Sequence, residues 1–132
     1  PIRDAKNAAE QLFDGTPINL TWNSEVGEMD KSAVKVILNM ILVASEALIR
    51  GGELIVNVTI NVEKLKLEIS AKADRIIFQD KAREMICGET ELTETDPKIA
   101  PAYLAASIAK QFNSKIHYTS HDDGGFALEV LI

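Results

Sequence analysis

The chain has 132 residues, 46% apolar and 26% charged, the balance of one folded globular domain, which excludes wholesale disorder. Its net charge of −6 excludes sequence-independent nucleic-acid binding, which needs a basic surface to release counterions. One cysteine excludes an internal disulfide or a cysteine-based zinc site, and no apolar run approaches the ~20 residues that span a bilayer, so the sequence reads as cytoplasmic with no membrane partner.

The opening IRDAKNAAEQLF spaces Ile2, Ala5, Ala9, Leu12 and Phe13 on one helical face, and Gly15 can end that helix. PINLTWN then alternates Ile18, Leu20 and Trp22 with Asn19, Thr21 and Asn23, the pattern of a half-buried strand. After the polar SEVGEMD, Asp30 is placed to cap a long helix, its carboxylate accepting a backbone N–H. Val34, Ile37, Leu38, Ile41, Leu42, Leu48 and Ile49 recur at the helical period. Met40 and Val43 widen the apolar surface, which predicts a central helix. Gly51 and Gly52 are predicted to end it as a C-cap and turn.

Two strands follow, with Leu54, Val56, Val58 and Ile60 on one face of the first and Leu65, Leu67, Ile69 and Ala71 on one face of the second. The short turn at residues 61–63 makes them an antiparallel hairpin. A short helix over residues 79–87 stops at Gly88, and the acidic ETELTETD follows, carrying Glu89, Glu91, Glu94 and Asp96. Asp96 is predicted to cap a last helix over residues 97–113, opening on Pro97, where a missing N–H costs little. Strands over residues 116–120 and 126–132 are joined by the turn HDDGG. Hairpins with helices between them predict an α+β, two-layer sandwich: one sheet with helices packed on one face.

Chemistry-bearing residues are sparse. His117 shares a solvated strand face with Lys115 and Thr119, and His121 lies in the Gly-Gly turn, which offers no rigid, carboxylate-oriented imidazole. Cys87 reads as a buried structural thiol. No glycine-rich phosphate cradle of the G-x-G-x-x-G or Walker type is present, and Gly51-Gly52 follows a helix C-terminus, the wrong dipole end for phosphate. The residues therefore predict no catalytic residue, no metal site and no cofactor.

The order of elements resembles the Bergerat (GHKL) ATP-binding domain of histidine kinases, gyrase and related ATPases, which implies a mixed, mostly antiparallel sheet. ILNMILVASEALIRGGELIVNV resembles the kinase N-box helix, its glycines and the next strand. Asn39 matches the first box position, and Val43 stands where the magnesium-binding Asn is expected, so the N-box is degenerate. ISAKADRI takes the place of the D-x-G-x-G box, with Ala73 where the adenine-reading Asp would fall. DPKIAPAYLAASIAKQFNSKIHYTS resembles the last glycine box, helix and strand, with Pro101 and Ala102 replacing glycine. The lid counterpart, ETELTETD, would repel a polyphosphate.

A closer resemblance accounts for these losses together. The chain is similar to the C-terminal domain of ChpT-type histidine phosphotransferases. It carries an L-x-W strand at Leu20 and Trp22, V-x-x-I-L-N at residues 34–39, the Gly51-Gly52 doublet, C-G-E at residues 87–89 and A-Y-L-A at residues 102–105. The resemblance implies a homodimeric phosphotransferase in a bacterial two-component phosphorelay, whose N-terminal helical hairpin carries the acceptor histidine. Its partners would be the receiver domains of response regulators and of a hybrid histidine kinase. Residues 1–14 would then be the helix leading out of that hairpin, and residues 15–132 a degenerate ATPase-like domain for docking and structure. Two alternatives stay open: a functional ATP-binding kinase domain, and a plain dimerisation or scaffold domain.

Overall fold

Period-two and 3.6-residue patterns resolve into the predicted order of elements in a computed structural model, which describes residues 2–88 and 99–132. They are α1 (Ile2–Leu12), β1 (Ile18–Ser24), α2 (Lys31–Glu46), β2 (Gly52–Asn61), β3 (Lys64–Lys72), α3 (Asp80–Ile86), α4 (Ala100–Gln111), β4 (His117–Ser120) and β5 (Phe126–Leu131). The sheet runs β1-β2-β3-β5-β4, with β1 and β2 parallel and every other neighbouring pair antiparallel. α2 is the crossover that the parallel pair requires. The mixed, mostly antiparallel sheet is thus as expected.

Alternation sorts the two faces of the sheet. Leu54, Val56, Val58, Leu67, Ile69, Ala71, Phe126, Leu128 and Val130 are buried under the helices. On the open face one transverse row crosses all five strands: Asn23, Asn57, Glu68, Glu129 and His117. Asn23 Nδ2 donates to Asn57 Oδ1 at 3.2 Å, Asn57 Nδ2 to Glu68 Oε1 at 3.4 Å, and Lys66 Nζ lies 3.4 Å from Glu129. That face is solvated, so the two-layer architecture follows from which side of each strand is apolar. No helix among the described residues is long and apolar enough to cross a membrane.

α2 is central, but its buried stripe is not quite the one its largest side chains mark. Ala33, Val36, Ile37, Met40, Ile41, Val43 and Ala44 are buried, while Val34, Leu38 and Leu42 are half-buried. Buried alanines on both α2 (Ala33, Ala44) and α4 (Ala102, Ala105, Ala109) suit the close packing of these two helices, so small residues carry core surface that a count of large apolar ones misses. The helix also stops earlier than expected, at Glu46 with Ala47 as C-cap, leaving Leu48 and Ile49 beyond it. Asp30 holds the N-cap position without a side-chain capping bond; its carbonyl accepts the Val34 N–H at 3.0 Å.

The glycine doublet is therefore not the helix C-cap. Gly51 has φ +90° and Gly52 φ +148°. A Cβ on Gly51 would strike the Pro17 carbonyl, and one on Gly52 would lie 2.5 Å from the Lys72 carbonyl oxygen. The Gly52 N–H donates to Pro17 O at 3.2 Å, so the doublet is where β2 begins, wedged between the chain entering β1 and the end of β3.

The hairpin is as predicted, with Asn61 paired to Lys64 around the two-residue turn Val62-Glu63. Ile60, expected on the core face, is 57% exposed because the hairpin tip runs past the helices. Val62 is a β-branched residue held at φ +60° and fully open to solvent. Val62→Asn is expected to stabilise the fold by about 1 kcal/mol, because Asn adopts that conformation at little cost. A denaturation midpoint at or below the parent's would contradict this. The predicted cap Asp96 and helix start Pro97 lie outside the described residues; within them α4 begins at Ala100 with Pro101 in its first turn.

Candidate functional site

Between the C-terminal half of α2, the chain entering α3, and Ile99 lies a groove of about 430 Å³. Val43, Ala47, Ile49, Ile77, Phe78 and Ile99 give it apolar walls, and Glu46, Gln79 and Lys81 supply its polar groups. Its geometry is fixed from two sides. The Ile77 N–H donates to the Ala47 carbonyl at 2.9 Å, tying the loop to the end of α2. Phe78 stacks on Tyr118 with ring centroids 5.2 Å apart and packs against Phe126 at 4.7 Å, which anchors the loop to β4 and β5.

The sequence-predicted positions fall out as follows. Val43 is 4% exposed and lines the groove. It presents hydrocarbon where a metal ligand would need an oxygen. Asn39, one turn earlier, is half-buried and does not line the groove; its Nδ2 donates to the Lys35 carbonyl at 2.8 Å on its own helix. Ala73 is not in this groove either. It lines a separate open depression of about 760 Å³ beside Gly51 and Gly52, with Arg50, Lys72, Arg75 and Asp123. The positions expected to hold metal and to read a base thus open onto different hollows. Ala102, a counterpart of the last glycine box, is buried in the core. The acidic lid counterpart, Glu89 to Asp96 by number, lies outside the described residues.

In that second depression the Asp123 carboxylate accepts the Gly125 N–H at 3.0 Å and sits 3.4 Å from Lys72 Nζ. The Gly125 N–H holds its pKa below the ordinary value; desolvation, the next largest effect, opposes it, and Lys72 and His121 add smaller lowering contributions. This is turn chemistry. It fixes the HDDGG loop and offers no unbalanced charge. His117 and His121 are both exposed, and Cys87 is buried at the end of α3. Among the described residues no group of three or more His, Cys, Asp or Glu could hold a metal ion.

Sequence reasoning found Val43 but missed the groove's other walls. Ile49 and Ile77 stand 55% and 43% exposed at its rim, and their only trace in the sequence is a large apolar residue beside a break in periodicity. Ile99 joins them only through tertiary packing.

Residues 2–124 match the histidine phosphotransferase C-terminal domain family. The chain belongs to that family. This phosphotransferase domain is 27% identical over 121 residues to the protein phosphotransferase ChpT of Brucella abortus (strain 2308), covering 90% of the chain and 58% of that relative. The domain therefore spans little more than half the length of the curated relative it matches. Its fold superposes on a bacterial phosphotransferase structure with a TM-score of 0.85 at 23% identity, covering 98% of the domain and 62% of that chain. The catalytic domain of the histidine kinase ThkA gives 0.72 at 16% identity, covering 99% and 89%. The Acinetobacter baumannii histidine kinase AdeS gives 0.69 at 13%, covering 99% and 61%. The phosphotransferase domain thus shares the kinase catalytic fold.

Proposed function

We propose that this domain is the kinase-like part of a ChpT-type phosphotransferase in a bacterial two-component phosphorelay, and that it has no nucleotide chemistry of its own. The carrying observation is Val43, buried hydrocarbon in the wall of the groove where Mg²⁺ would need a ligand. ATP brings about four negative charges and needs a divalent ion, amides or basic side chains to be held. Besides Lys81, the groove offers the acid Glu46, the single side-chain amide of Gln79 and apolar walls. The family membership and the likeness to ChpT support the phosphorelay role.

On this reading residues 1–14 lead out of a helical hairpin that carries the acceptor histidine and pairs two copies of the full protein in the cytoplasm. Residues 15–132 then act in structure and in docking the receiver domains of response regulators and a hybrid histidine kinase. Phosphoryl groups would pass through the hairpin histidine, and this domain would contribute contact surface.

A retained ATP site is the second reading, favoured by the persistence of a groove in a fold shared with kinase catalytic domains. Docking is tested by titrating a fluorescently labelled receiver domain into the full-length protein and into its hairpin alone. Affinity at least tenfold higher for the full protein is expected, about 1.4 kcal/mol of added contact. Equal affinities would remove the docking role.

A further inference from the structure

The sheet has two free edges, and they are built differently. β4 is 4 residues long, and Lys115, His117 and His121 lie in or beside it. Short edges carrying basic side chains resist pairing with another strand. β1, at the opposite edge, is 7 residues long and reads INLTWNS, with no charged residue in a chain of net charge −6. The acid next to it in sequence, Glu25, is folded inwards: its carboxylate accepts the Ile60 N–H of β2 at 3.1 Å. Among the described residues no strand pairs with the outer side of β1.

The two ends of β1 fix where its backbone groups point. The Gly52 N–H donates to the Pro17 carbonyl at 3.2 Å, and the Glu25 N–H donates to the Val58 carbonyl at 2.9 Å. Pro17 and Glu25 thus both bond towards β2, and in a parallel ladder alternate residues do so. Asn19, Thr21 and Asn23 therefore turn their N–H and C=O groups to β2, while Leu20, Trp22 and Ser24 turn theirs to the free edge. Side chains alternate with the same period. Asn19, Thr21 and Asn23 stand exposed on the open face of the sheet, and Ile18, Leu20 and Trp22 are half-buried on the helix side.

We propose that the outer edge of β1 pairs antiparallel with β1 of a second copy of this chain, about a two-fold axis through Thr21. That register is self-complementary, as a two-fold interface must be. Leu20 faces Trp22 of the second copy and Trp22 faces its Leu20, and these edge-directed residues are the ones able to exchange N–H···O=C bonds in pairs. Thr21 faces Thr21 as a non-hydrogen-bonded pair with Cα atoms about 4.5 Å apart, and Asn19 faces Asn23. Asn side chains both donate and accept, and Thr–Thr pairs bond across strands, so the open face closes without a like-charge contact. The Asn23 amide is already oriented by its bond to Asn57 Oδ1 at 3.2 Å. The sheet then runs through both copies with the helices of both on one side. This contact is separate from the hairpin pairing of the full protein and holds whether or not that reading does. The competing account is an edge kept hydrated, its first donor, the Ile18 N–H, turned onto Thr16 Oγ1 at 3.4 Å.

Sedimentation equilibrium of the purified chain is expected to show monomer and dimer with Kd on the order of 100 µM, weak because one strand pair buries little area. Thr21→Lys sets like charges at the axis and should weaken association about tenfold, with the thermal midpoint of the dilute monomer unchanged. The register is read by disulfide trapping, since the chain's single cysteine, Cys87, is buried. With oxidised glutathione, Thr21→Cys should link two copies. Asn19→Cys should not, because its thiols would stand about 13 Å apart along the paired strands. A parent that stays monomeric to about 1 mM overturns the proposal and leaves the edge to a strand of another protein. So does a dimer indifferent to Thr21→Lys, or equal trapping at the two positions. Should Thr21→Lys fail to fold, the two cysteine variants decide alone.

Discussion

Gly52→Ala is expected to destabilise the fold by about 3 kcal/mol. The added Cβ would lie 2.5 Å from the Lys72 carbonyl oxygen and 2.7 Å from the Ala73 Cβ, in a backbone held at φ +148°. Neither obstacle is the end of a flexible side chain, so relief requires β2 to move away from β3, its antiparallel neighbour in the sheet. Conformational strain and steric contact therefore add at one atom. Gly27→Ala is the control. A Cβ there meets nothing within 4 Å, and stability should stay within about 0.5 kcal/mol of the parent. Urea denaturation of both variants decides the matter. Equal, small losses at the two sites would mean that Gly52 serves only as a turn residue.

That result would also show what periodicity can and cannot say. The strands were legible because their faces differ so sharply: Leu54, Val56 and Val58 point one way, and Glu53, Asn57 and Thr59 the other. Two-residue alternation carries that difference directly into a two-layer fold. The end of α2 was less legible, because Leu48 and Ile49 continue the apolar rhythm past Glu46, where three-residue turns (Ala47 N–H to Ala44 O, Leu48 N–H to Ser45 O) replace the α-helix. The doublet looked like a helix stop because glycine serves C-caps and close approaches equally well. Only the neighbouring backbones of Pro17 and Lys72 tell the two apart, and they are remote in sequence.

The site was legible in one residue and hidden in the rest. Val43 sits on a helix whose register is set by local periodicity, so its place could be read. The rim residues Ile49 and Ile77 come from segments without period, brought together by the bond between the Ile77 N–H and the Ala47 carbonyl.

Mg·ATP titrated into the purified chain is expected to give no saturable heat up to ~1 mM, placing any residual affinity weaker than about 4 kcal/mol of binding free energy. Placing an amide there by Val43→Asn is expected to leave this unchanged. Position 43 is 4% exposed among apolar walls, so the new side chain gains one potential metal oxygen and pays for its own desolvation. The variant should be less stable than the parent by about 1–3 kcal/mol, the cost of a buried amide left short of partners. A single oxygen cannot hold a hydrated Mg²⁺ with its triphosphate when Ala73, the position the resemblance assigns to base reading, opens onto a different hollow. Micromolar binding by the parent would restore the nucleotide reading outright. Micromolar binding by Val43→Asn alone would show that one substitution separates this domain from a working ATP site, and the loss would then be recent chemistry and not a change of architecture.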